Sequence, residues 1–157
     1  MKRQAAVRGV AVAASLAAIA LATPPAHADR VYHSEHLALA PVGGAPLRSG
    51  FVQNIKAEGP VVYAHEIFAL NGAGPRSTYT VTRNLFPFDS DCSGENGVFA
   101  SDVATLRTNR SGNARDDVFV RPAEVAGFEG VHGVKWTVHD ARDALVYQTV
   151  CTTVTLD

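Results

Sequence analysis

The stretch VATLRTNRSGNARDDVFV, from Val103 to Val120, decides the predicted fold. Both of its arms carry β-branched and apolar residues, which favour strands. The segment between them, Asn109–Asn113, contains residues that tolerate positive φ or bond their own backbone, as turns require. The pattern predicts a β-hairpin whose tip, Arg110–Asn113, is free and exposed.

Short strands separated by Gly, Pro and Asn fill the rest of the chain on both sides of this hairpin. The predicted strands cover residues 30–40, 47–56, 61–70, 77–86, 98–107, the second hairpin arm, 134–139 and 145–156. Helix is limited to one short turn within 122–127. Such regular turn signals are typical of an all-β, antiparallel immunoglobulin-like sandwich of about seven to eight strands, and a closed barrel is the alternative.

Alternation along these strands predicts which side chains face the core, because successive residues of a strand point to opposite faces. The apolar faces comprise Leu47, Phe51 and Ile55; Tyr79, Val81 and Leu85; Val134, Trp136 and Val138; and Val146, Val150, Val154 and Leu156. The polar residues of the same strands are expected on the outer faces.

The N-terminus has the pattern of a secretory signal peptide over residues 1–28. Basic residues precede an apolar run from Val10 to Ala22, and Ala26-His27-Ala28 supplies the small residues that a signal peptidase requires. Cleavage is predicted after Ala28. A membrane anchor is the alternative, but the run is shorter than the roughly 20 apolar residues that cross a bilayer.

The predicted mature chain, residues 29–157, forms a single secreted domain without a membrane span. Removal of the three basic leader residues leaves 11 Lys and Arg against 15 Asp and Glu, a net charge of about −4. This charge disfavours nucleic acid and anionic membranes as partners. The preference for Arg over Lys, with abundant Ala, Gly and Val, indicates a GC-rich bacterial genome.

The two cysteines, Cys92 and Cys151, both lie in the predicted exported part. Thiols in an oxidising compartment usually pair, which predicts a Cys92–Cys151 disulfide. The bond would close a loop of about 60 residues and, on the chain-entropy model, stabilise the fold by about 4 kcal/mol. It would fasten the polar loop 87–97 to the outer or edge side of the last strand.

The loop DSDCSGE, residues 89–95, matches the start of a calcium-binding loop. Asp89, Asp91 and Ser93 place oxygens at alternate positions before Gly94. However, Ala100 stands where such a loop needs its bidentate Glu. A solvated loop anchored by the disulfide is therefore favoured, and the three oxygen donors remain alternative metal ligands.

The histidines supply the other metal hypothesis, since three converging imidazoles would bind zinc or copper. The mature-chain histidines are His33, His36, His65, His132 and His139. His33 and His36 are three residues apart and therefore face opposite sides of a strand. No metal site is predicted, and His33 and His65 are kept as candidates.

No catalytic residue and no cofactor are predicted. The chain contains no Gly-x-Ser-x-Gly nucleophile motif and no phosphate-binding glycine loop. Ser, His and Asp residues occur, as they do in most chains of this length.

Two segments, Leu70–Val81 (LNGAGPRSTYTV) and Thr105–Ala114 (TLRTNRSGNA), resemble parts of small secreted β-sandwich proteins of uncharacterised function from actinomycete-type bacteria. The first also resembles bacterial immunoglobulin-like modules. The resemblance implies the fold and carries no functional residue over. Secreted actinomycete inhibitors and chromoprotein apoproteins are similar in size, but they typically have two disulfides.

These observations predict a secreted, non-catalytic binding or envelope-associated module of unknown ligand. The alternative is a metal-binding protein or enzyme that uses the histidines or a calcium loop at 89–95. A third hypothesis is a small hydrolase with a dispersed site.

Overall fold

The computed structural model describes residues 33–56 and 64–156, which form two antiparallel β-sheets. The predicted signal peptide, residues 1–28, lies outside these ranges. Within them, no helix has the length and apolarity needed to cross a membrane.

The first sheet has four strands, in the spatial order β1 (His33–Ala38), β3 (Ser49–Lys56), β4 (Ala64–Asn71) and β7 (Ala114–Val120). The second sheet runs in the order β2 (Ala40–Pro41), β9 (Leu145–Gln148), β8 (Gly130–Asp140), β5 (Thr78–Phe86) and β6 (Phe99–Arg107). A further strand, β10 (Thr152–Leu156), also pairs with β8. One helical turn, α1 (Pro122–Val125), precedes β8.

The prediction of an all-β fold with one short helical turn is confirmed. Every predicted strand has a counterpart, but the first divides into β1 and β2 and the last into β9 and β10, so the described chain has ten strand segments. The connectivity is not that of antibody domains. There the second strand pairs with the first and fifth, whereas here β3 pairs with β1 and with its sequence neighbour β4.

The stretch from Val103 to Val120 is not a hairpin. Its first arm, in β6, pairs with β5 of one sheet, and its second arm, β7, pairs with β4 of the other. The turn between them is therefore an arch that crosses from sheet to sheet. Turn residues specify a reversal of the chain, but they do not specify which strand each arm pairs with.

The tip of this arch is exposed at Arg110, Ser111 and Asn113, as predicted, but it is docked rather than free. The Ala73 N–H donates to the Gly112 carbonyl over 3.0 Å, and the Gly72 N–H donates to the Asn113 side chain over 3.1 Å. Gly112 is buried at φ +74°, and a Cβ built there would lie 2.0 Å from the Ala73 oxygen. Only glycine fits this contact, which fixes the arch against the loop between β4 and β5.

The core lies between the sheets, and the predicted inward face of β8 is confirmed. Val138 and Trp136 are fully buried there, as is Val52 of β3. The prediction for β3 was wrong, because Phe51 lies on the outer face against His36 and Val52 faces inward. β3 carries apolar residues on both faces, so alternation alone does not identify its buried side.

The last predicted strand contains a bulge that reverses its faces. Three residue steps, from Thr149 to Thr152, span only two steps of β8. As a result Tyr147 is fully buried while Val150, predicted on the inner face, is 68% exposed. The predicted Cys92–Cys151 disulfide is confirmed and fastens the loop 87–97 to this bulge.

Candidate functional site

Residues from both sheets enclose a cleft of about 170 Å³. Strands β3, β4 and β7 form one wall, strands β5, β6, β8 and β10 form the other, and α1 and the segment after it contribute the remainder. Most of the lining is apolar, supplied by Leu85, Phe99, Phe128, Val134, Val154 and Leu156.

An ion pair crosses this cleft from sheet to sheet. Arg83 Nη1 donates to Glu66 Oε1 over 2.9 Å, and the side chains are 18% and 2% exposed respectively. Both residues occupy inward positions: Glu66 precedes the buried Phe68 by two residues on β4, and Arg83 follows the buried Val81 by two on β5. Alternation therefore directs both charges towards the space between the sheets.

Two further polar side chains flank the pair. Asn54 lies directly opposite Glu66 across the β3–β4 ladder, and Trp136 lies opposite Arg83 across the β5–β8 ladder. Asn54 is 4% exposed and Trp136 is fully buried. Two cross-strand pairs, one on each sheet, thus line the same cleft.

Three buried polar atoms of this group have no hydrogen-bond partner among the described residues: Asn54 Oδ1, Glu66 Oε2 and Trp136 Nε1. The Trp136 N–H favours the charged form of the Glu66 carboxyl, although the two do not meet the geometry of a full hydrogen bond. A buried polar group without a partner costs about 1–3 kcal/mol. All three side chains line the cleft, where water or a ligand can supply the missing partners.

Burial raises the pKa of the Glu66 carboxyl above its ordinary value of 4.5. The charge and hydrogen bond of Arg83, and then the Trp136 N–H, oppose this rise, while the negative charge of Glu124 adds to it. Desolvation prevails because Glu66 lies inside an apolar wall. The carboxyl can therefore accept hydrogen bonds when charged and donate one when protonated.

The residues kept as alternative calcium ligands form hydrogen bonds within their own loop. The Asp89 carboxylate accepts hydrogen bonds from Ser93 Oγ (3.0 Å), Ser93 N (3.2 Å) and Gly94 N (2.7 Å). A hydrogen bond shared with Asp91, together with these donors, lowers the pKa of Asp89 to about 2 and raises the pKa of Asp91. The carboxylate oxygens of Asp89 thus hold the turn that carries Cys92.

The histidines do not converge. His65 lies on the outer face of β4, 2.9 Å from Asp117 Oδ2, and stacks on Phe119 with the ring centroids 4.2 Å apart. His132 is buried, and its two ring nitrogens bond the backbone of Phe88 and of Phe128. The side chain of His33 lies outside the described part. Over residues 33–56 and 64–156, no three His, Cys, Asp or Glu side chains are grouped as metal ligands.

Sequence reasoning placed Trp136 in the core but missed Asn54, Glu66 and Arg83. A usable signal was present, because Arg83 shares its parity with Tyr79, Val81 and Leu85 on a strand whose other face is polar. A charged residue on an inward face indicates either a buried pair or a site. The arch tip, residues 110–113, and the disulfide-bonded loop 87–97 do not line the cleft.

No protein-family model, curated protein or solved structure matches this chain.

Proposed function

We propose that the protein is an exported, non-catalytic binding module whose ligand enters the cleft between the sheets. The observation that carries this proposal is the set of unpartnered buried atoms on Asn54, Glu66 and Trp136 within an otherwise apolar lining. Ligand sites generally combine apolar walls with a few polar groups that orient the ligand.

The volume of the cleft limits the size of the ligand. Its volume of about 170 Å³ is below the roughly 300–1,000 Å³ of sites for drug-sized ligands, although several water molecules would fit. The ligand is therefore a small molecule, or a single side chain or headgroup of a larger one.

Two further parts of the proposal concern the location of the protein and the class of proteins that it resembles. The Cys92–Cys151 disulfide indicates an oxidising, extracellular environment, and the predicted signal peptide at 1–28 would supply export. We propose that the protein is related to actinomycete-type immunoglobulin-like proteins. This proposal concerns the two packed sheets and not the order of the strands.

Trp136 provides a direct test, because it is the only tryptophan of the chain and lines the cleft. A collection of small aromatic and aliphatic fragments would be titrated into the oxidised protein while its fluorescence and indole N–H resonance are followed. Binding in the cleft should change both signals. In the double variant Glu66→Leu/Arg83→Leu, fragments that use the polar groups should lose affinity.

The matched control is His65→Ala, which changes the neighbouring residue of β4 on the opposite face. It should leave fragment binding unchanged. Binding fragments that perturb resonances elsewhere and leave Trp136 unmoved would refute the cleft as the ligand site.

A further inference from the structure

Resting on the proposed function, we propose that the cleft selects a primary ammonium group on a short apolar stem. The apolar walls accept many stems. The net charge of the lining residues, and whether the unpartnered atoms are hydrogen-bond donors or acceptors, determine which headgroup is preferred.

The charges that line the cleft favour a cation. They comprise the carboxylates of Glu66 and Glu124 and the guanidinium of Arg83, so one negative charge remains when both carboxyls are ionised. Glu124, on α1, acts on Glu66 by like-charge repulsion. A cation bound beside the Glu66 carboxyl would offset this repulsion and favour the charged form of Glu66, whereas an anion would do the opposite.

The unpartnered oxygens call for a ligand that donates hydrogen bonds. Asn54 Oδ1 and Glu66 Oε2 belong to residues directly opposite each other on adjacent strands. An ammonium group has three donors and could serve both oxygens, whereas a hydroxyl has one donor and a carboxylate has none. The third unpartnered atom, Trp136 Nε1, is a donor and faces the Glu66 carboxyl.

Aromatic rings near the cleft suit such a ligand as well. Phe99 and Phe128 meet edge to face with their centroids 5.0 Å apart, and both line the cleft. Aromatic faces attract a cation within about 6 Å of the ring centroid. They also bury the stem, which adds apolar contact to the charge interaction.

The test compares three probes of one shape: benzylamine, benzyl alcohol and benzoate. Each is titrated into the oxidised protein at pH 7, with Trp136 fluorescence and calorimetry as readouts. Benzylamine should bind about tenfold more tightly than benzyl alcohol, as expected for a hydrogen bond to a charged group. Benzoate should bind more weakly than either.

Two isosteric variants locate the preference. Glu66→Gln should weaken benzylamine about tenfold while leaving benzyl alcohol within about twofold. Glu124→Gln should weaken benzylamine by a smaller factor, because this carboxylate is exposed and screened by water. Since Glu124 is on the surface, this second variant remains informative even where Glu66→Gln disturbs folding.

The outcomes separate this inference from the proposed function. Equal binding of benzylamine and benzyl alcohol, with Trp136 responding to both, would overturn the ammonium preference and leave the cleft as a ligand site. Tighter binding of benzoate would also overturn it. No response of Trp136 to any of the three probes or to the fragment collection would remove both proposals together.

A free amine and a lysine side chain present the same headgroup. Nα-acetyl-lysine-methylamide and its Nε-acetylated form separate these sources when compared with benzylamine. Tighter binding of the lysine derivative, lost on Nε-acetylation, identifies a lysine of a larger partner. Tighter binding of benzylamine identifies a free amine, and both results support an ammonium site. Binding of the lysine derivative that survives Nε-acetylation would contradict it.

Discussion

The two ends of the space between the sheets are built by the same strands but filled in different ways. At the packed end, Phe68 of β4, Val81 of β5 and Val138 of β8 are fully buried, and none of them lines the cleft. Two residues further along, the same inward positions hold Glu66, Arg83 and Trp136 and line the cleft.

The difference shows that one core combines an apolar end with an end that buries charged and polar groups. Apolar contact at the packed end stabilises the sandwich, because each fully buried large side chain contributes about 1.5–3 kcal/mol. The cleft end contributes less stabilisation from apolar contact, because it buries a charged pair and leaves polar atoms without partners. Variants at matched positions test whether stability and binding are divided between the two ends in this way.

The largest expected effect is at the packed end. Phe68→Ala should lower the free energy of unfolding by about 3–5 kcal/mol, because it leaves a cavity in a fully buried position. Phe99→Ala, at the cleft, should cost less than about 1.5 kcal/mol, since Phe99 is already 54% exposed. Chemical denaturation measures both, and equal losses would contradict the division.

Removal of one partner of the ion pair should have the next largest effect. Arg83→Leu leaves the Glu66 carboxyl buried without its partner, which should cost about 2–4 kcal/mol at pH 7. The double variant Glu66→Leu/Arg83→Leu should recover most of this loss, because it leaves no unpaired buried charge. A double variant as unstable as Arg83→Leu would show that the pair itself holds the sheets together.

The pH dependence of stability should be smaller and has a defined sign. Because the pKa of Glu66 is raised in the folded protein, its contribution is fully present below the ordinary value of 4.5 and is lost as the pH rises through the folded value. The stability of the wild type relative to Glu66→Gln should therefore fall from pH 4 towards pH 8. Denaturation across this range measures the difference, and the contributions of Asp89 and Asp91 cancel because both proteins contain them.

If the relative stability of the wild type rises with pH instead, the attraction of Arg83 outweighs burial. The carboxyl would then be held charged in the folded state, and the cleft would present a fixed carboxylate at all neutral pH values.

The smallest effect is expected on the outer face. His65→Ala removes a half-exposed contact with Asp117 and a stacking contact with Phe119, and should cost less than about 1 kcal/mol. It should leave the Trp136 response to benzylamine unchanged. Loss of that response would mean that the two faces of β4 are coupled.

Much of the fold could be predicted from sequence because its signals are local. Alternation and turn residues located at least part of each described strand, and the export pattern pointed to a single cysteine pair, Cys92–Cys151, which the structure contains. The predicted faces were wrong on β3, where both faces carry apolar residues, and in the last predicted strand, where a bulge intervenes. The bulge before Thr152 inserts one residue into the pairing with β8, which alternation does not reveal.

The sequence by itself determined where this chain extends and where it turns, because strand periodicity and turn chemistry act between neighbouring residues. Only the tertiary structure decided that the arms of the stretch Val103–Val120 join different sheets, and that Arg83 meets Glu66. Those pairings depend on what stands opposite each strand, which alternation leaves open. The cleft contains two inward-facing charges, 17 residues apart in the chain, that meet from different sheets.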